Sequence, residues 1–100
     1  MSDKEYAVMT PMKIRDVVTV YHSTLTQAGI QPQRIDVHSS FGSVTREANL
    51  AHALYLCNGV IEMDITQSYG KANRHLTAIQ MCLSFANWYT LFQMMEMNRP

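Results

Sequence analysis

Apolar residues recur every three or four positions along most of the chain, which is the spacing of one face of an α-helix. Thr10 is a good N-cap, Pro11 suits the first helical position, and Gly29 can adopt the positive φ that ends many helices. The apolar stripe between these signals comprises Ile14, Val17, Val18, Tyr21, Leu25 and Ala28. The pattern predicts a first helix over residues 11–28.

A second helix is predicted to begin after Ser43 or Thr45, either of which can cap it, with Glu47 in the first turn where the helix dipole favours an acid. Its apolar positions form a stripe (Leu50, Leu54, Cys57 and Ile61) and a flank beside it (Ala53, Leu56, Val60 and Met63). Gly59 is unusual inside a helix, and it would let another helix approach closely. The wide apolar face indicates that this helix is central.

The third helical pattern starts near Lys71, after a short turn over residues 64–70. Its apolar positions fall on two faces, one with Ala72, Leu76, Ile79, Leu83 and Ala86, and another with Met81, Cys82, Phe85 and Trp88. A break is expected over residues 87–90, and Thr90 then caps a short helix to about Asn98. These elements predict an all-α fold, a small antiparallel bundle of three main helices plus a short C-terminal helix. The single domain spans residues 10–100, and residues 1–9 form a tail that Tyr6 and Val8 pin.

The segment 29–43 shows no helical period, and it is long for a connection inside a compact domain. Alternation over residues 34–38 suits either a short strand or one helical turn. Long loops are often functional, but we expect an ordinary loop that Ile35, Val37 and Phe41 pack against the helices.

Composition narrows the possible partners and compartments. Hydrophobic residues make up 47% of the 100 residues and charged residues only 16%, with a net charge of zero. A chain without a clustered basic field is a poor ligand for phosphate backbones, so nucleic acid is an unlikely partner. We expect no signal peptide and no membrane span, since no apolar run approaches about 20 residues. A cytoplasmic protein with reduced Cys57 and Cys82 follows.

Motifs for catalysis or cofactor binding are missing from the sequence. The four histidines lack the three- or four-residue spacing of a helical metal site, and the four glycines are too scattered for a phosphate loop. A nucleophilic cysteine paired with His52 or His75 is conceivable, but small core cysteines are far more common. We therefore expect no metal, no cofactor and no enzymatic activity.

A small basic cluster is the main alternative site. Lys71, Arg74 and His75 lie near the predicted start of the third helix, where free backbone N–H groups bind anions. Together with Tyr69 they could bind a small ligand such as a nucleotide. A solvated helix face remains the simpler interpretation of the same residues.

The segment ANWYTLFQMMEM, residues 86–97, carries seven large apolar side chains and one charge. On an ideal helix Leu91, Met94 and Met95 share one face and can pack on the bundle, which leaves the others without cover. Three hypotheses compete: the segment is core, it forms a homodimer, or it docks on a foreign protein. The expected partner-binding residues are Trp88, Tyr89, Phe92, Met94, Met97 and Arg74, since Trp, Tyr and Met are frequent at binding surfaces.

Three segments, residues 50–57, 71–80 and 89–100, resemble small bacteriophage-encoded proteins of about this length. The resemblance rests on LAHALYLC, KANRHLTAIQ and the end of the chain from Tyr89 to Asn-Arg-Pro, and it covers about half of the sequence. It implies a phage or prophage accessory protein, a class that often binds and blocks a host defence, nuclease or transcription protein. With the apolar segment it predicts a non-enzymatic protein-binding module that occludes its target.

Overall fold

The computed structural model describes residues 9–100, so the expected pinning by Tyr6 and Val8 lies outside the described part of the chain. Residue 9 was expected to belong to the tail, but Met9 is buried in the core. The hydroxyl of Tyr69 donates a hydrogen bond to the backbone oxygen of Met9. The folded domain therefore includes Met9.

Residues 9–100 contain four α-helices, one short 3₁₀ turn and no strand. The α-helices are α1 (Pro11–Gln27), α2 (Arg46–Glu62), α3 (Tyr69–Phe85) and α4 (Leu91–Asn98), and the 3₁₀ turn spans Phe41–Ser43. The predicted all-α class, with three main helices and a short fourth one, is confirmed.

Threonine caps set the starts of three helices. The hydroxyl oxygens of Thr10, Thr45 and Thr90 each accept a hydrogen bond from a backbone N–H in the first turn of α1, α2 and α4. Of the two candidate caps for α2, Thr45 is the one used. The α1 helix ends as predicted, with Gly29 at φ 83°.

The α3 helix begins two residues before its predicted start. The carboxylate of Asp64 accepts hydrogen bonds from the backbone N–H and the hydroxyl of Thr66, and the Asp64 carbonyl accepts from Ser68 N. This Asx-type turn closes the link from α2 early, so the helix starts at Tyr69.

Two arginine side chains show that neighbouring helices are antiparallel. Arg15, near the start of α1, donates to the carbonyl of Met63 at the end of α2 at 3.4 Å. Arg46, at the start of α2, donates from Nε to the carbonyl of Ala86 at the end of α3 at 2.7 Å. Since α2 packs extensively on both α1 and α3, it is the central helix that its wide apolar face predicts.

The core contains nearly all of the predicted stripe positions. Its fully buried large side chains are Ile14, Val18, Tyr21, Leu25, Leu50, Cys57, Val60, Ile79, Cys82 and Leu83. Two expected stripe positions are exposed: Ala28, which is the C-cap of α1, and Ile61 of α2.

The connection between α1 and α2 forms no strand over residues 34–38, and a single hydrogen-bonded turn closes at its end, where Ser39 N donates to the Asp36 carbonyl at 2.9 Å. Ile35 is half-buried and Phe41 packs on the core, as expected, but Val37 is exposed and does not pack. Asn49 holds the end of the connection, since its buried amide donates to the carbonyl of Phe41 at 3.0 Å. The connection is therefore anchored at a few points rather than along its length.

Gly59 lies under the imidazole of His75, so a side chain of α3 fills the space that the glycine leaves. A Cβ added at Gly59 would lie 3.5 Å from the His75 ring, which is an ordinary van der Waals distance. Gly59→Ala is therefore expected to raise the free energy of unfolding by about 0.5–1 kcal/mol through helix propensity. Urea unfolding measures this change.

Gly29→Ala is the matched control for that substitution. Its φ of 83° is strained for any L-residue with a side chain, so the variant should lose about 1 kcal/mol. Destabilisation by Gly59→Ala of the same size would show that the His75 ring cannot tolerate the added methyl group.

Candidate protein-binding surface

Five large hydrophobic side chains lie exposed together on α3 and α4, and we call them the α3–α4 face: Met81, Phe85, Leu91, Phe92 and Met95. Their exposed fractions range from 47% for Met81 to 67% for Leu91 and Phe92. Met81 and Phe85 are four residues apart on α3, and Leu91 and Met95 are four apart on α4, so each pair forms one helical ridge. Phe92 extends the α4 ridge towards solvent.

A groove of about 360 Å³ separates the two ridges. Met81 and Phe85 line it from α3, and Leu91 and Met95 line it from α4. Met94, which is only 3% exposed, also lines the groove, and Thr77 and Ser84 contribute hydroxyl groups. The groove is therefore an apolar depression with a few polar groups in its lining, which is the usual character of a binding groove.

The α3–α4 face carries no charge. No Lys, Arg, Asp or Glu occurs between Arg74 and Glu96. Glu96 pairs with Arg99 at 2.6 Å, which neutralises the charge next to the face. A partner that covers this face therefore buries apolar surface without the free-energy cost of desolvating a charged group.

A small hydrogen-bond network holds α4 in position beside α3. The side-chain amide of Gln80 donates to the hydroxyl of Tyr21 at 3.0 Å and to the Asn98 side-chain oxygen at 2.8 Å. Tyr21 is fully buried, and burial raises its pKa to about 12. The network joins α1, α3 and α4, so it fixes the spacing of the two ridges.

The turn before α4 brings Trp88 and Tyr89 towards the core rather than to the surface. Asn87 adopts a φ of 55°, and the Tyr89 ring lies 5.7 Å from that of Tyr21. The guanidinium of Arg46 lies 5.7 Å above the Trp88 ring, which is cation–π geometry. Trp88 and Tyr89 are thus largely packing residues.

The structure exposes only some of the residues that were expected to bind a partner. Met94 was expected both to pack on the bundle and to bind a partner, and its burial confirms the first expectation and contradicts the second. Met97 is partly buried against the core. Phe92 is exposed as expected. Leu91, Met94 and Met95 were expected to pack on the bundle together, but only Met94 is buried, and Leu91 and Met95 are exposed. The periodicity of α3 placed Met81 and Phe85 on its second apolar face, but it did not show that this face is exposed to solvent.

The structure places only two of the four residues of the alternative ligand site in one cleft. Lys71 and His75 line an open cleft of about 730 Å³ between α2 and α3, together with Glu62 and Tyr55. Tyr69 faces Met9 instead, and the Arg74 guanidinium lies beside Gly70, outside the lining of the cleft and of the α3–α4 groove. Glu62 adds a carboxylate that offsets the positive charge of Lys71, so the charge of the cleft does not favour an anionic ligand.

His52 ties the long connection to α2. Its Nδ1 accepts a hydrogen bond from the backbone N–H of Ile35 at 3.1 Å, and its ring stacks on Tyr55 at 5.9 Å. Burial, and then the nearby charges of Arg34 and His75, lower the pKa of His52 below the ordinary value of 6.5. The neutral ring is therefore the form that the fold favours.

This pKa shift predicts a loss of stability in mild acid. The unfolded chain binds the His52 proton more readily than the folded chain does, so stability should fall as the pH drops below about 6.5. The loss should be smaller in His52→Asn, whose amide oxygen can accept from Ile35 N without titrating. Urea midpoints at pH 5 and pH 7 measure the difference, and His38→Asn, on the exposed part of the connection, is the control. Equal pH dependence in the parent and His52→Asn would contradict the assignment.

The two cysteines are poor nucleophiles in this fold. Burial raises the pKa of the Cys57 thiol to about 12 and that of Cys82 to about 11. Near neutral pH both remain protonated, which is the unreactive form. Within residues 9–100, no three His, Cys, Asp or Glu side chains are grouped closely enough to hold a metal ion.

None of the helices in the described part of the chain has the length and hydropathy that crossing a bilayer requires. No protein-family model, no curated protein and no solved structure matches the chain.

Proposed function

We propose that this protein acts without catalysis, by binding another polypeptide through the α3–α4 face. The observation that carries the proposal is one groove lined by four exposed large hydrophobic side chains, with the exposed Phe92 next in the chain to one of them, Leu91. Monomeric proteins seldom leave apolar patches of several hundred Å² uncovered unless the patch binds something. Phe92 and Leu91 are the anchors, because they are the most exposed of the five.

The chemistry of the face defines the kind of partner. Two parallel ridges with an apolar groove between them suit a segment that presents apolar side chains at helical spacing. Thr77, Ser84 and Gln80 supply polar groups beside the groove, where they can set orientation. The affinity would come from the apolar centre, and an uncharged centre favours an uncharged apolar surface on the partner.

The mechanism we propose is occlusion of a surface that the partner needs for its own function. The resemblance to small phage proteins supports a host protein as the target and the host cytoplasm as the place of action. Nothing in this mechanism needs a cofactor or a titrating group, since its free energy comes from covering apolar surface.

Site-specific photo-crosslinking tests the proposal. The photoreactive residue p-benzoylphenylalanine replaces Phe92 in one variant and Met12 in another; Met12 is 76% exposed on α1, outside the face. After irradiation in bacterial cells, we expect a discrete protein adduct from position 92 and none from position 12. If neither position, or both equally, gives an adduct, the α3–α4 face is not a specific protein-binding surface.

A further inference from the structure

We propose that the polypeptide covering the α3–α4 face is a second copy of this chain, so that the protein is a two-fold symmetric dimer. This inference rests on the proposed function of the face as a protein-binding surface, and it replaces a host protein with a second copy as the occupant of that face. Three properties of the face favour a second copy as its partner: its area, its lack of charge and its shape.

The area of the face is close to what a stable dimer needs. With about half to two-thirds of each side chain exposed, the five residues offer roughly 600 Å² of apolar surface, against about 800 Å² per partner in a standard interface. Thr77, Gln80 and Ser84 along the groove supply part of the difference. Homodimer interfaces are also the more apolar class, which matches a face without charge.

The absence of charge specifically favours self-pairing. In a two-fold dimer the same patch meets itself, so any excess charge on the patch would lie opposite an equal charge. From His75 to Met95 the chain has no Lys, Arg, Asp or Glu, and the neighbouring Glu96 and Arg99 neutralise each other. Two copies can therefore approach without like-charge repulsion.

The shape of the face is compatible with reciprocal packing. Phe92 is exposed on α4 and follows Leu91, which lines a groove that is large enough to receive an aromatic ring. A knob and a groove on one surface allow each copy to insert Phe92 into the groove of the other, and the two contacts are then equivalent by symmetry. The flexible Met81 and Met95 side chains at the groove adapt to the inserted ring.

Absolute mass by light scattering on a sizing column, across a tenfold range of concentration, tests the dimer. We expect twice the 11.4 kDa of one chain for the parent. Met95→Lys should raise the dimer dissociation constant by about 100-fold or more, because it places an unpaired ammonium group in the apolar interface. Met12→Lys is the matched control and should leave the mass doubled. Circular dichroism checks that each variant keeps its helices.

Phe92→Ser gives an independent test, since it removes the knob without adding charge, and it should also yield the single-chain mass. A parent protein with the single-chain mass at every concentration would overturn the dimer. A doubled mass that survives both Met95→Lys and Phe92→Ser would overturn this face as the interface.

The crosslinking experiment separates failure of the dimer from failure of the proposed function. Position 92 joined to a second copy of the chain supports the dimer and the protein-binding role of the face, and it contradicts occlusion of a host protein by this face. Position 92 joined only to a different protein overturns the dimer and leaves the protein-binding function standing. No adduct from position 92 overturns both proposals.

Discussion

Tyr21→Ala is expected to lower the free energy of unfolding by about 3–5 kcal/mol, since it deletes a fully buried aromatic side chain. The ring lies among α1, α3 and α4, against Tyr89, and its hydroxyl accepts the hydrogen bond from Gln80. Truncation leaves a cavity and removes an acceptor at the same point. Denaturant unfolding followed by circular dichroism measures the loss.

Tyr21→Phe separates the hydrogen bond from the ring. Gln80 retains its contact with Asn98 in this variant, so the expected cost is about 1 kcal/mol. Equal losses for Tyr21→Phe and Tyr21→Ala would mean that the hydroxyl network, rather than the ring, accounts for the stability at this position.

Met94→Ala is expected to lower the free energy of unfolding by about 2–5 kcal/mol, the usual cost of truncating a buried methionine. Met94 is the only buried residue of α4, and the partly buried Met97 packs on the core beside it, so the truncation removes a main apolar contact of that helix. Met12→Ala makes the same chemical change at an exposed helix position and should stay within about 0.5 kcal/mol of the parent. Thermal unfolding at a fixed protein concentration compares the two.

A small effect of Met94→Ala on stability would contradict the placement of Met94 in the core. Met94 would then belong to the surface, as its place among the expected partner-binding residues implied. The substitution therefore decides between the two positions of this side chain.

The helices were predictable because their signals are local. A threonine cap and its backbone partner lie three residues apart, as in Thr10 with Lys13 and Thr45 with Ala48, so such a pair can be recognised in the sequence. The long stripes of α1 and α3 likewise determine their buried faces. The start of α3 was less predictable, since the Asp64 turn that sets it has no periodic signature.

The candidate site was predictable only in part, because its geometry depends on contacts far apart in sequence. An eight-residue helix can bury almost any of its faces, and periodicity favoured the one containing Leu91 and Met95. The chosen orientation follows from the Gln80 link to Asn98 and from the turn at Asn87 that directs Tyr89 inward. The break at Asn87 was expected from the sequence, but no local pattern shows that Tyr89 points inward or that Gln80 bonds to Asn98.

The short α4 has a thermodynamic consequence for anything that binds the face. A helix of eight residues is not stable alone in water, and this one is retained by one buried methionine and a side-chain amide link. Its opening should therefore require less free energy than unfolding of the whole domain. Three of the five residues of the face, Leu91, Phe92 and Met95, are on α4. Binding at the face and closure of α4 are therefore linked equilibria. A bound partner should slow the exchange of the α4 amide hydrogens with solvent.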